Sequence, residues 1–148
     1  MNVEKIIRTE KELPLTSKTI IHFMLVNNKI NESILSALKP YDVSLQQFNV
    51  LRILRGQNGK PANLSTLNQR MVTKMSNTTR LVDKLILKGY VSRITCQSNR
   101  RKVEISITEL GQTMLKKMDV VMTKTEKTIL RNLTTVELEQ LNLLFNKF

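Results

Sequence analysis

Apolar residues recur at three- and four-residue spacing along most of this chain, which predicts a mainly helical protein. Before Pro14, the residues Val3, Ile6, Ile7 and Leu13 suggest a short helix or an ordered arm. From Ser17 to Leu38, one face carries Ile20, Phe23, Met24, Ile30, Ile34, Leu35 and Leu38, and Pro40 with Tyr41-Asp42 ends the helix. Ser44-Leu45-Gln46-Gln47 has the form of a capping box. It opens a helix to about Arg55 with Phe48, Leu51 and Leu54 inward. Gly56 and Gly59-Lys60-Pro61 then break the chain. Asn63 is placed to cap a short helix over Leu64–Met71, buried through Leu64, Leu67 and Met71. After a turn at Val72-Thr73-Lys74, the next helix is expected from about Lys74 to Lys88, with Gly89 as its stop. Its inward face is Thr78, Leu81, Val82 and Leu85, and the opposite face shows Ser76, Asn77, Arg80 and Lys84.

The period changes to two after Gly89. Val91 to Cys96 is strand-like, and Val103, Ile105 and Ile107 alternate with Lys102, Glu104, Ser106 and Thr108. Gln97-Ser98-Asn99-Arg100 forms the tip of the resulting hairpin. Thr108 then starts a long helix over about 109–131. Leu110, Met114, Met118, Val121, Thr125 and Ile129 mark its apolar face, widened by Leu115, Met122 and Leu130. Thr134-Thr135-Val136-Glu137 is a second capping box, and the last helix runs to the C-terminus with Val136, Leu141, Leu144, Phe145 and Phe148 apolar. The expected fold is mainly α with a small β-hairpin wing: a winged helix-turn-helix domain plus a helical dimerisation region. The expected division is 1–40 as arm and dimerisation helix, 41–108 as the DNA-binding domain, and 109–148 as C-terminal dimerisation helices.

Charge sharpens this picture. The 148 residues carry a formal net charge of +12, and the sequence pI is near 10.1. Between Arg70 and Lys102 nine Lys/Arg accompany one acid, Asp83, so this stretch alone holds +8. Clustering of this kind points to a polyanionic partner rather than to a generally basic surface. One Cys and one His exclude a disulfide framework and a zinc-ligand set. No Gly-rich phosphate loop, G-x-S-x-G or H-E-x-x-H occurs, and the acids are scattered, so neither an enzyme with catalytic residues nor a metal or cofactor is expected. The N-terminus, MNVEKIIRTEKEL, lacks the apolar stretch of a signal peptide. The apolar runs are too short to span a bilayer. A cytoplasmic protein without a membrane partner is expected.

Two helices joined by a short turn and followed by a hairpin suit double-stranded DNA. The N-terminal turns of a recognition helix enter the major groove, where short polar side chains and Arg/Lys reach base edges and phosphates. Ser76, Asn77, Thr79 and Arg80 are the candidate readers, with Lys74 and Lys84 as phosphate holders. A wing needs a thin cationic tip for the narrow, electronegative minor groove. Asn99-Arg100-Arg101-Lys102 supplies it, with Arg93 at its base.

The stretch from Leu64 to Gly111 resembles the MarR family of bacterial transcriptional regulators. The family pattern runs R-L-V-D-x-L-x-x-K-G-x-V-x-R, then a wing ending in D-x-R, then L-T-x-x-G. Here it reads Arg80-Leu81-Val82-Asp83-Lys84-Leu85, Lys88-Gly89-Tyr90-Val91-Ser92-Arg93, Asn99-Arg100-Arg101 and Ile107-Thr108-Glu109-Leu110-Gly111. The resemblance implies a homodimer joined through its first and last helices. It also implies a recognition helix in the major groove, Arg101 in the minor groove, and repression of a pseudo-palindromic operator. In that family a small-molecule effector pocket lies between the dimerisation helices and the DNA-binding lobe, and His22, Phe23, Asn27 and Phe48 are the candidate liners here. Asn99 stands where the family has Asp, which leaves open the orientation of Arg101 and the partner of Arg93.

The apolar faces of the two C-terminal helices support a dimer independently. Met114, Met118 and Met122 form a stripe suited to a core or a dimer seam. Three other readings fit the same residues: a non-specific architectural DNA binder, an interaction module that has kept the fold and lost DNA binding, and a thiol redox sensor acting through Cys96 among its neighbouring cations.

Overall fold

The computed structural model describes residues 1–72, 77–95 and 103–148. Helix α1 (Val3–Ile7) is capped by Asn2 and leads through Pro14 into α2 (Leu15–Leu38). At 24 residues, α2 is about 36 Å long. Its end follows from Pro40, which lies in a 3-10 turn over Lys39–Tyr41 and is followed by Asp42 at φ 50.

The local capping signals are realised. Ser44 and Gln47 form a reciprocal box at the start of α3 (Leu45–Arg55). The Asn63 side chain accepts from Thr66 N–H at the start of α4 (Leu64–Arg70). Thr108 accepts from Gly111 N–H ahead of α6 (Glu109–Leu130), and Thr134 with Glu137 boxes α7 (Thr135–Phe145). Each such cap satisfies amides that the first turn cannot pair, and contributes about 1 kcal/mol.

Helix α5 spans Thr78–Leu87, and of the expected Lys74–Lys88 the residues 74–76 lie outside the described residues. Asn77, at φ −120 and ψ 29, precedes the helix, so it stands at the helix entrance rather than within its first turn. The stop at Gly89 is as expected. Gly89 adopts φ 70, its N–H donates to Ile86 O, and Tyr90 N–H donates to Leu85 O, the paired bonds of a Schellman end.

Strands β1 (Val91–Thr95) and β2 (Val103–Ile107) pair antiparallel, with Val91 opposite Ile107 and Thr95 opposite Val103. The sequence reading missed one partner of this hairpin. Ala62 exchanges two backbone hydrogen bonds with Ile105, at 2.9 and 2.7 Å, and so adds a one-residue third edge. A single residue has no period, so no sequence pattern marks it.

The core joins the helix-turn-helix lobe to the middle of α6. It contains Leu38, Phe48, Leu51, Leu54, Leu67, Val82, Leu85, Val91, Ile105, Leu115, Met118 and Met122. The apolar face expected for α2 is present but largely uncovered: Ile20, Met24 and Leu35 are exposed, and only Leu38 is fully buried. No helix among the described residues is long and apolar enough to cross a membrane.

Candidate nucleic-acid interface

The angle between α4 and α5 is set by apolar packing and by one partly buried polar bond. Leu67 on α4 and Val82 and Leu85 on α5 share the core. Thr78, at the first position of α5, is buried and its hydroxyl donates to Asn68 Oδ1 on α4. A buried hydroxyl without a partner is costly, so this bond favours one arrangement of the two helices. The inward position of Thr78 was legible from helical spacing. Asn68 was not, although a buried Thr signals that a partner exists.

The opposite side of α5 faces solvent. Asn77, Thr79, Arg80 and Lys84 are all exposed. Arg80 and Lys84 lie four residues apart and share one helix face. Of the other expected DNA contacts, Lys74, Ser76, Asn99, Arg100 and Arg101 lie outside the described residues, as does Cys96. Arg93 on β1 is engaged: its Nη1 donates to Asp83 Oδ1 on α5 at 2.7 Å.

At the far end of α5, Lys88 pairs with Asp42 beyond the end of α2. The hydrogen bond from Lys88, and then its charge, hold the Asp42 carboxyl below its ordinary pKa. Lys84, Lys88, Asp42, Gln47 and Leu87 line a cavity of about 330 Å³ there. A second long-range pair, Arg55 with Asp119, ties the end of α3 to α6.

The four candidate pocket residues are dispersed. His22 is half-buried, with Nε2 3.5 Å from the Met1 carbonyl oxygen. The Phe23 ring lies 6.0 Å from Phe145 and 5.9 Å from Phe148, centroid to centroid. Asn27 is exposed. Phe48 is buried under the Arg52 guanidinium, 5.7 Å from its ring centroid. It lines a cavity of about 260 Å³ with Ile34, Arg52, Met71 and Met122, among others; His22, Phe23 and Asn27 do not line it.

Residues 43–103, from the approach to α3 through the helix-turn-helix and β1 to the first residue of β2, match the model of the MarR family. The remaining helices agree in fold with solved MarR proteins. The wild-type apo form of MarR from E. coli is 25% identical, with 93% of this chain and 98% of that one covered and a TM-score of 0.69. The matched segment and the shared fold make this chain similar to MarR-family regulators. A MarR transcription factor from Planctomyces limnophilus is also 25% identical, with 93% and 100% covered and a TM-score of 0.73. A mutant of E. coli MarR complexed with operator DNA shares the fold at 23% identity, with 99% and 98% covered and a TM-score of 0.75. The family model stops at Val103, so outside residues 43–103 the similarity is one of fold.

Proposed function

We propose that this protein is a member of the MarR family and a sequence-specific DNA-binding repressor that acts as a homodimer on a pseudo-palindromic operator. The observation that carries the reading is the exposed polar and basic face of α5, Asn77, Thr79, Arg80 and Lys84, set beside the β1–β2 hairpin. In this reading α5 enters the major groove, where an Arg pairs with guanine and an Asn with adenine. The complex of E. coli MarR with operator DNA supports such a use of the fold.

The dimer rests on apolar surface that the chain leaves bare. Ile6, Ile7, Leu15, Ile20 and Met24 on α1 and α2 are exposed, as are Leu143, Leu144 and Phe145 on α7. None of the residues of α7 is buried within the chain. A helix gains most of its stability by packing an apolar face, so α7 needs a partner surface. A second copy supplies one by symmetry and sets two α5 helices on one face of the DNA.

Selection of bound sequences from a random DNA pool tests this reading. The expected result is a pseudo-palindrome with half-sites about 34–36 Å apart. Arg80→Ala is expected to lower operator affinity by about 1–3 kcal/mol per contact and to relax preference at one position of each half-site. A specificity ratio below about 10³ over bulk DNA would favour the architectural reading instead.

Release by a small-molecule effector is the finer part of the proposal. The cavity at Phe48 supports it, because its walls come from α2, α3 and α6 and so from both the DNA-binding lobe and the long helices. In a thermal-shift screen, an effector is expected to raise the Tm of the free protein and to weaken operator binding. Compounds that raise Tm while leaving DNA affinity unchanged would count against release through this cavity.

A further inference from the structure

Arg93 is an exposed cation whose register position falls on the face of β1 that carries Val91. Alternation places it on the same face of β1 as Val91, which is buried, and opposite Ile105, which is fully buried. Its guanidinium Nη1 meets Asp83 Oδ1 on α5 at 2.7 Å. Asp83 lies three residues after Arg80 and next to Lys84, and it is the only acid between Arg70 and Lys102.

We propose that the Asp83–Arg93 pair fixes the hairpin against the recognition helix, and that Arg93 serves DNA binding as a positioning residue rather than as a phosphate contact. The proposal rests on the DNA-binding reading above. A carboxylate on the DNA-facing half of α5 repels phosphates unless it is neutralised, and Arg93 neutralises it. The same bond sets the direction in which β1 leaves α5. Both side chains are partly exposed, at 39% and 46%, so the pair contributes little to global stability. Its effect is on orientation. While the pair holds, Asp83 is also withheld from accepting a hydrogen bond from cytosine.

The test measures operator affinity of the full chain across salt concentrations for Asp83→Asn, Arg93→Gln, Arg93→Lys and the double variant D83N/R93Q. Charge alone predicts that D83N tightens binding, since it removes a negative group near DNA. The pairing predicts the opposite sign, with D83N and R93Q each weaker by about tenfold and the double variant no weaker than either. R93K, which keeps the cation, is expected within about threefold of wild type. The slope of log affinity against log salt is expected to stay unchanged in R93Q, whereas loss of a phosphate contact lowers it by about 0.9.

Tighter binding by D83N, a lowered slope in R93Q, or altered preference at one base in D83N alone would each overturn the proposal. Hydrogen exchange at the amides of Ser92–Thr95 in the free protein separates this from the wider reading. Faster exchange in both variants is expected. If that is seen but wild type selects no sequence, the DNA reading fails and the pairing stands; unchanged exchange defeats the pairing whatever the DNA result.

Discussion

Replacing Gly111 with alanine is expected to destabilise the protein by about 3 kcal/mol or more, although Gly→Ala in a helix ordinarily stabilises by about 1 kcal/mol. Gly111 lies in the first turn of α6, where the helix crosses the start of the hairpin. A Cβ there would meet the Tyr90 carbonyl oxygen at 2.1 Å and Ile107 Cγ1 at 2.9 Å. The Tyr90 contact is backbone and cannot swing aside. That carbonyl also accepts from Thr108 N–H at 3.0 Å, and the Thr108 hydroxyl donates to Gly89 O at 2.6 Å. Relief of the clash therefore moves α6 away from β1 and loosens both bonds. For a chain of this length each kcal/mol shifts Tm by about 2–4 °C, so a fall of roughly 6–12 °C is expected in a thermal melt. A rise in Tm would show that α6 does not approach Tyr90 as described.

Leu144→Glu is expected to leave the fold intact, convert the protein to a monomer and lower operator affinity by about 10²–10⁴. Leu144 is 54% exposed in the single chain. Were the protein monomeric, a charge at such a surface position would change stability by less than about 0.5 kcal/mol. In a two-fold dimer the substitution counts twice, and each large apolar side chain lost from an interface forfeits about 1.5–3 kcal/mol of burial. The loss of affinity arises because two linked lobes bind with a high effective concentration that one lobe lacks. Analytical ultracentrifugation with DNA titration checks both parts. A variant that sediments and binds like wild type would remove α7 from the dimer interface.

The positions of the elements were legible because their causes are local. Ser44, Asn63, Thr108 and Thr134 each cap a helix through bonds to residues three positions ahead. The alternation of Val103, Ile105 and Ile107 agrees with the observed strand, of which Ile105 is the buried residue. The motif from Arg80 to Gly111 carried the resemblance to the MarR family, since its turns and stops occupy fixed spacings. The start of α5 was less legible. Ser76 and Asn77 are compatible with a helix, but Asn77 adopts the non-helical backbone of an entrance. Arg93 was expected in the wing as a DNA contact, and the structure gives it an acidic partner on the helix before it.

The mainly helical fold with its hairpin, the order of the elements and the basic character of one segment are readable along the chain, because periodicity, capping and charge are written within a few neighbouring residues. Only the tertiary structure decided which apolar faces are covered. It buried Leu38 while leaving Ile20, Met24 and Leu35 on the same helix bare. It also decided the partners of single polar groups: Thr78 with Asn68, Ala62 with Ile105, Arg93 with Asp83 and the Tyr90 carbonyl beneath Gly111. The physical reason is common to all of them. Each contact joins residues brought together by packing, and one residue meeting one other leaves no repeat along the chain to read.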